Sequence, residues 1–277
     1  MNEQTFTLTD QNWFAVSEPS RGVFAICEPL HSETVLSYLV CGSRRALLID
    51  TGMGVGNIAD VVDRLTDLPV IVVNSHSHWD HIGGNMQFES VQIHHAEIAG
   101  MNADILTRAV RRAMTTDHLR GPLPGGVRVE HLNLDPGRVG STLTGGERFD
   151  LGDREIEVLY CPGHSPGLLA FIDAANGVLF STDVVYPGDL YAQFDGCDLV
   201  AYQTTLDNLV SLSAGIRTVH PSHNRDTMSA DLLIPMREAF AEVMRGRRPD
   251  LVDHDAATHR FEGFGIKVSP EFRGLHV

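Results

Sequence analysis

Apolar residues along this chain gather in two blocks of short runs, each followed by segments with helical spacing. In the first block, "GVFAIC" (22–27), "TVLSYLVC" (34–41) and "RALLID" (45–50) are rich in branched and aromatic residues and are separated by turn formers, which predicts β-strands. Residues 56–66 place Ile58, Val61, Val62 and Leu65 on one face of an amphipathic helix. "LPVIVVN" (68–74) is a continuous apolar strand, "VQIHH" (91–95) another, and 96–114 reads as mostly helix. "GPLPGG" (121–126) interrupts all periodicity. The second block holds strands at 154–161, 167–173 and 177–183. Helices at 198–213 and 230–245 then bracket a last strand at 217–222, with Pro235 marking a kink or a first turn. Such blocks are buried by two sheets packed face to face with helices on the outer faces, an α/β architecture. No repeat or linker divides the chain, so one domain over 1–277 is expected.

Composition narrows the partners. The chain has 277 residues and a net charge of −15, from 36 acidic against 21 basic side chains. That balance repels polyanions, so nucleic acid is not expected as a partner; a small-molecule substrate is, and homo-oligomerisation stays open. No apolar run reaches the length of a membrane span, and "MNEQTFTLTDQNW" lacks the apolar stretch of a signal peptide. The four cysteines form no CxxC pair and read as reduced thiols of a cytoplasmic protein.

The chemistry is concentrated in "NSHSHWDHIGGN" (74–85), where His76, His78, Asp80 and His81 follow a strand end. On extended backbone His76 and His78 project to one side, and a turn then presents Asp80 and His81 to a neighbouring point. One stretch so offers two ligands to each of two metal ions. Imidazole and carboxylate together suit zinc first, with iron or manganese as alternatives. Further ligands are needed downstream, and "PGHSPG" (162–167), "STD" (181–183) and "HPSHN" (220–224) supply His164, Asp183 and either His220 or His223.

In this order the motifs resemble those of the metallo-β-lactamase-fold hydrolase superfamily over about residues 20–225. The resemblance implies a four-layer αββα sandwich of two mixed β-sheets. It implies that His76, His78 and His164 bind one metal, that Asp80, His81 and His223 bind the other, and that Asp183 bridges them with a shared hydroxide. "IDTG" (49–52) also matches, which makes Asp50 a residue that orients the ligand histidines. "IHHAE" (93–97), "LGDREIEVLYCPGHSPG" (151–167) and "VLFSTDVVYPGDL" (178–190) resemble the acyl-CoA thioesterase branch most, while "HWDHIGGN" is similar to glyoxalase II and the Asp183–Tyr186 spacing to lactonases. Ser222 departs from the glycine usual before the last ligand.

The expected activity is therefore hydrolysis of a small ester-type carbonyl, a thioester such as acyl-CoA first. A lactonase is the alternative, then a phosphodiesterase, a metal-binding protein without turnover, or an iron-dependent oxidoreductase. Asp80 and Asp183 act as ligands within the catalytic centre. Tyr186 is expected either to donate a hydrogen bond to the reacting carbonyl or leaving group, or simply to pack at a strand end, with Tyr191 the weaker candidate. Trp79 is a candidate pocket wall. Residues 101–130 carry five arginines against three acids. They read as a helical lid whose Arg111 and Arg112 face coenzyme A phosphates, or else as a solvated helix face.

Overall fold

The computed structural model describes residues 7–9 and 11–274. Eight strands form the first sheet in chain order: Thr7–Leu8, Ala15–Ser20, Val23–Cys27, Leu36–Cys41, Ala46–Ile49, Val70–Val73, Val91–His94 and Val139–Leu143. The first five pair antiparallel and the last four parallel, so the sheet is mixed. The second sheet has the order Met228–Ser229, Thr218–Pro221, Val178–Thr182, Leu169–Asp173, Glu155–Tyr160, Arg148–Asp150, and its one parallel pair is Val178–Thr182 with Thr218–Pro221.

Side-chain alternation assigns each face. Val23, Ala25 and Cys27 meet Val158, Phe171 and Phe180 in a core between the sheets. Their neighbours Phe24 and Ile26 face outward into a second core with the helices α1 (Ile58–Leu65) and, beyond the short α2 (Trp79–Ile82), α3 (Ala103–Ala113). The opposite face of the second sheet, with Ala170 and Leu179, packs under α4 (Leu199–Leu212) and α5 (Leu233–Met244). The four layers are thus helix, sheet, sheet, helix. Asn57 starts α1 by accepting the Asp60 N–H, and Pro235 sits in the first turn of α5, where it breaks no helical hydrogen bond.

Two features go beyond the sequence reading. Residues 96–114 do not form one helix: a 3-10 stretch, His95–Gly100, turns at Asn102, which caps α3 by accepting the Ile105 N–H. And a third, four-stranded sheet runs Asp189–Ala192, Phe264–Val268, Ala257–Phe261, Leu251–Val252. It ties the C-terminal segment back to the residues just after Asp183. Among the described residues no helix is long and apolar enough to cross a membrane.

Candidate metal centre

Parallel register puts the ligand-type residues on one rim. Ile49 pairs with Val73, so the chain leaving both strands brings Asp50 beside Ser75 and His76. Thr182 pairs with Pro221, so Asp183 emerges beside His223. The carboxyl ends of parallel strands are the usual place for a site in such sheets. The Leu169 N–H bonds to the Ser75 carbonyl at 2.9 Å, locking the two rims together just after His164. Close backbone approach finishes the frame: a Cβ on Gly83 would lie 2.2 Å from the Met53 carbonyl carbon, so only glycine lets α2 rest on the 51–54 loop.

The result is one cluster. Ligand atoms of His76, His78 and His164 lie within 4.8 Å of one another, and so do those of Asp80, His81 and His223. Asp183 stands between the groups. Its Oδ2 is 3.9 Å from His76 Nε2, 3.5 Å from His164 Nε2 and 3.3 Å from His223 Nε2, and its Oδ1 is 3.4 Å from His81 Nε2. The structure brings together all seven residues singled out from the sequence. His220 does not join them. Its Nδ1–H donates to the Asp226 carbonyl, and its ring packs between Tyr38 and Phe180 in the core. Ser222 adopts no left-handed conformation, so its Cβ causes no strain; Asn224 takes that geometry instead.

The donor set fits divalent metal. His76 Nε2, His81 Nε2 and Asp183 Oδ1 are buried without a hydrogen bond, an arrangement that costs free energy unless a cation satisfies it. The far ring nitrogens are held. Asp50 accepts from the Ser75 N–H and hydroxyl and lies 2.9 Å from His81 Nδ1, while Ser75 Oγ contacts His76 Nδ1. His164 Nδ1 meets the Tyr191 carbonyl at 2.7 Å, and His223 Nδ1 meets that of Glu33 at 2.9 Å. Such partners fix the tautomer that leaves Nε2 free to ligate.

The electrostatics divide the cluster. Burial, then His164, pushes His78 down to about 4, and burial, then His81 and His78, holds His76 well below the ordinary histidine value. For His223 burial is outweighed by Asp183, which lifts it to about 9; for His81 burial is likewise outweighed by Asp183, Asp80 and Asp50. Asp183 is held well below the carboxylate range because His223 and His81 outweigh its burial. The mixed group thus carries protons that a cation would displace.

The remaining candidates separate. The Tyr186 hydroxyl donates to the Asp189 carbonyl at 2.7 Å, and its buried ring packs on His223. Of the two expectations for Tyr186, a hydroxyl bonded within the fold and a ring packed at the strand end are what the packing reading describes. Tyr191 and Trp79 do line the cavity over the cluster, about 150 Å³, together with Glu33 and Phe194. Arg111 donates from Nε and Nη2 to the Leu132 carbonyl and so anchors the 129–135 segment. Arg112 lines an adjoining cleft of about 640 Å³. The 101–130 segment is tied to 30–34, the Ser32 N–H bonding to the His118 carbonyl and the Arg120 N–H to that of Leu30.

At least four site residues escape sequence reasoning, Phe194 on the cavity wall among them. Glu33 lines the cavity, its carboxyl pushed up by burial, and follows no motif. Lys267, near the C-terminus, lies over the Tyr191 ring. Glu97 accepts from Ser77 N–H (2.9 Å), Ser77 hydroxyl (2.6 Å), Ser165 hydroxyl (2.7 Å) and Gly167 N–H (2.7 Å). It sits within "IHHAE", so its position was visible but its partners were not.

An αββα sandwich with two imidazole–carboxylate groups sharing one aspartate defines the class of metal-dependent hydrolase folds. The profile of the Metallo-beta-lactamase superfamily matches residues 33–223, and the chain belongs to that superfamily. Among curated relatives, the acyl-coenzyme A thioesterase MBLAC2 of Gallus gallus is 33% identical over 210 residues, covering 72% of this chain and 73% of that one. Among solved structures, a metallo-beta-lactamase from Pontibacter korlensis superposes with a TM-score of 0.61 at 17% identity, covering 82% of this chain and 99% of that one. TTHA1623 in a di-iron-bound form superposes with a TM-score of 0.52 at 27% identity, covering 74% and 92%.

Proposed function

We propose that this protein is a dinuclear metal-dependent thioesterase acting on acyl-CoA or a similar small thioester. The observation that carries the reading is Asp183 held between the two histidine groups beneath a cavity, in a chain one-third identical to an acyl-coenzyme A thioesterase. His76, His78 and His164 would hold one ion, Asp80, His81 and His223 the other, and Asp183 would reach both. Zinc suits these donors first; the di-iron relative keeps iron as the alternative. Bound there, divalent ions acidify water to hydroxide near neutral pH and polarise the substrate carbonyl.

The chain's own residues do the rest. Asp80 and Asp183 spend their lone pairs as ligands, so neither serves as a free general base. Asp50 keeps His81 in the ligating tautomer. Tyr191 lines the cavity with no hydroxyl hydrogen bond among the described residues, so its O–H is available to the reacting carbonyl. Trp79 and Phe194 give the cavity its aromatic walls.

The leaving group favours the thioester over the lactone. A thiol is acidic, with a pKa of about 8.5 in cysteine, and departs as thiolate without a proton donor. An alkoxide needs one, and Tyr186, the tyrosine spaced for that task, is already bonded to Asp189, which leaves Tyr191 to serve both the carbonyl and the alkoxide. The test is metal analysis of the purified protein with acyl-CoA, lactone, glutathione-thioester and phosphodiester substrates assayed side by side. Preference for a lactone or phosphodiester, or turnover undiminished after chelation, would overturn the reading.

A further inference from the structure

Trp79 lines three separate hollows: the small cavity over the metal cluster, the cleft of about 640 Å³, and a groove of about 350 Å³ running beneath α3. The two larger hollows differ in chemistry. The cleft is mixed, presenting the charged Glu33, Arg112, Asp253, Asp255 and Lys267 beside Ala113, Tyr191 and Phe194, and is the more polar of the two. The groove is walled by Ala96, Ala99, Ile105, Leu106, Ala109 and Pro166.

The groove's polar residues are largely silenced. Ser77 and Ser165 both spend their hydroxyls on Glu97, and the Glu97 carboxylate is filled by four donors. What remains facing the groove is mostly hydrocarbon, with Asp195 and His78 among its lining residues. Ile105 is 51% exposed over it, apolar surface that an apolar occupant would cover. The groove also touches His78, so an occupant's end reaches the metal cluster. Trp79 separates this end from the more polar cleft, where its ring meets His31 edge-on at 5.7 Å.

We propose that the groove beneath α3 binds the acyl chain of the substrate, with Trp79 as the partition that keeps the chain apart from the polar half of the ligand. This rests on the thioesterase reading and sharpens it. The reacting carbonyl lies over the cluster, the hydrocarbon runs along Ala99, Ile105 and Ala109, and the larger polar leaving group takes the cleft. Each methylene that enters the groove then strengthens binding by about fourfold, until the groove is full.

The experiment uses the metal-loaded protein and a series of S-alkyl-CoA thioethers, which lack the carbonyl and are not turned over. Their Kd, read by calorimetry, is expected to fall with chain length in the parent. In Ile105→Asp, which puts a charge in the groove, and in Ala99→Phe, which fills it, the loss of affinity grows with chain length, to tenfold or more for long chains. Affinity independent of length in the parent, or variants that weaken all lengths equally, would remove the proposal. A parent that binds long thioethers tightly yet cleaves no thioester keeps the groove and overturns the assigned reaction instead.

Discussion

Glu97 bonds to the Ser165 hydroxyl at 2.7 Å although 68 positions separate them, and the same carboxylate holds Ser77. These serines adjoin His164, on one side, and His76 and His78 on the other. The loop carrying two ligands is thereby clamped to the loop carrying the third. Hydrogen bonds from its four donors keep Glu97 ionised despite its burial.

Glu97→Gln replaces one acceptor oxygen with an NH2 group that faces a backbone N–H, which cannot turn away, and a serine hydroxyl, which can. Metal affinity of the three-histidine group is expected to fall by about 10- to 100-fold, with the other group little changed. Competition with a chelator measures it. Ser165→Ala, which removes one of the four bonds, should give a smaller loss in the same direction.

Asp183→Asn keeps the shape and removes the charge between the two groups. The variant is expected to lose at least one of the metal equivalents of the parent and nearly all turnover. Elemental analysis beside kinetics decides it; full metal content with normal turnover would show that Asp183 holds nothing.

Metal uptake should split by pH. The three-histidine group has its imidazoles pushed down by burial, so its affinity should be flat through neutral pH. His223 is raised to about 9, so below that pH an ion must displace its proton. Affinity at the mixed group should therefore rise with pH toward about 9, by about tenfold per unit for each proton released. Cobalt titrations followed by absorption at several pH values would resolve the two classes; identical pH slopes would contradict the division.

The two tyrosines should behave oppositely. Tyr186→Phe leaves the half-buried Asp189 carbonyl without this donor, so stability should drop by about 1 kcal/mol while turnover holds. Tyr191→Phe should lower kcat by about a hundredfold if its hydroxyl supports the reacting carbonyl, with stability unchanged. Unfolding in urea and steady-state kinetics on both variants make the comparison.

The sequence by itself determined much of this molecule. Alternation in 22–27 and 36–41 fixed which strand residues face which core, because successive side chains must point to opposite sides. The spacing of His76, His78, Asp80 and His81 carried the metal chemistry, because ligands so close along the chain converge whatever surrounds them. What only the tertiary structure decided depends on residues far apart meeting. His223 was separated from His220 by which way a strand end faces, and Tyr191 from Tyr186 by where a free backbone carbonyl happens to lie. Glu33, Glu97 and Lys267 joined the site through the pairing of sheets and a C-terminal strand that returns to Asp189–Ala192. No local pattern encodes such meetings, since they follow from the packing of whole layers.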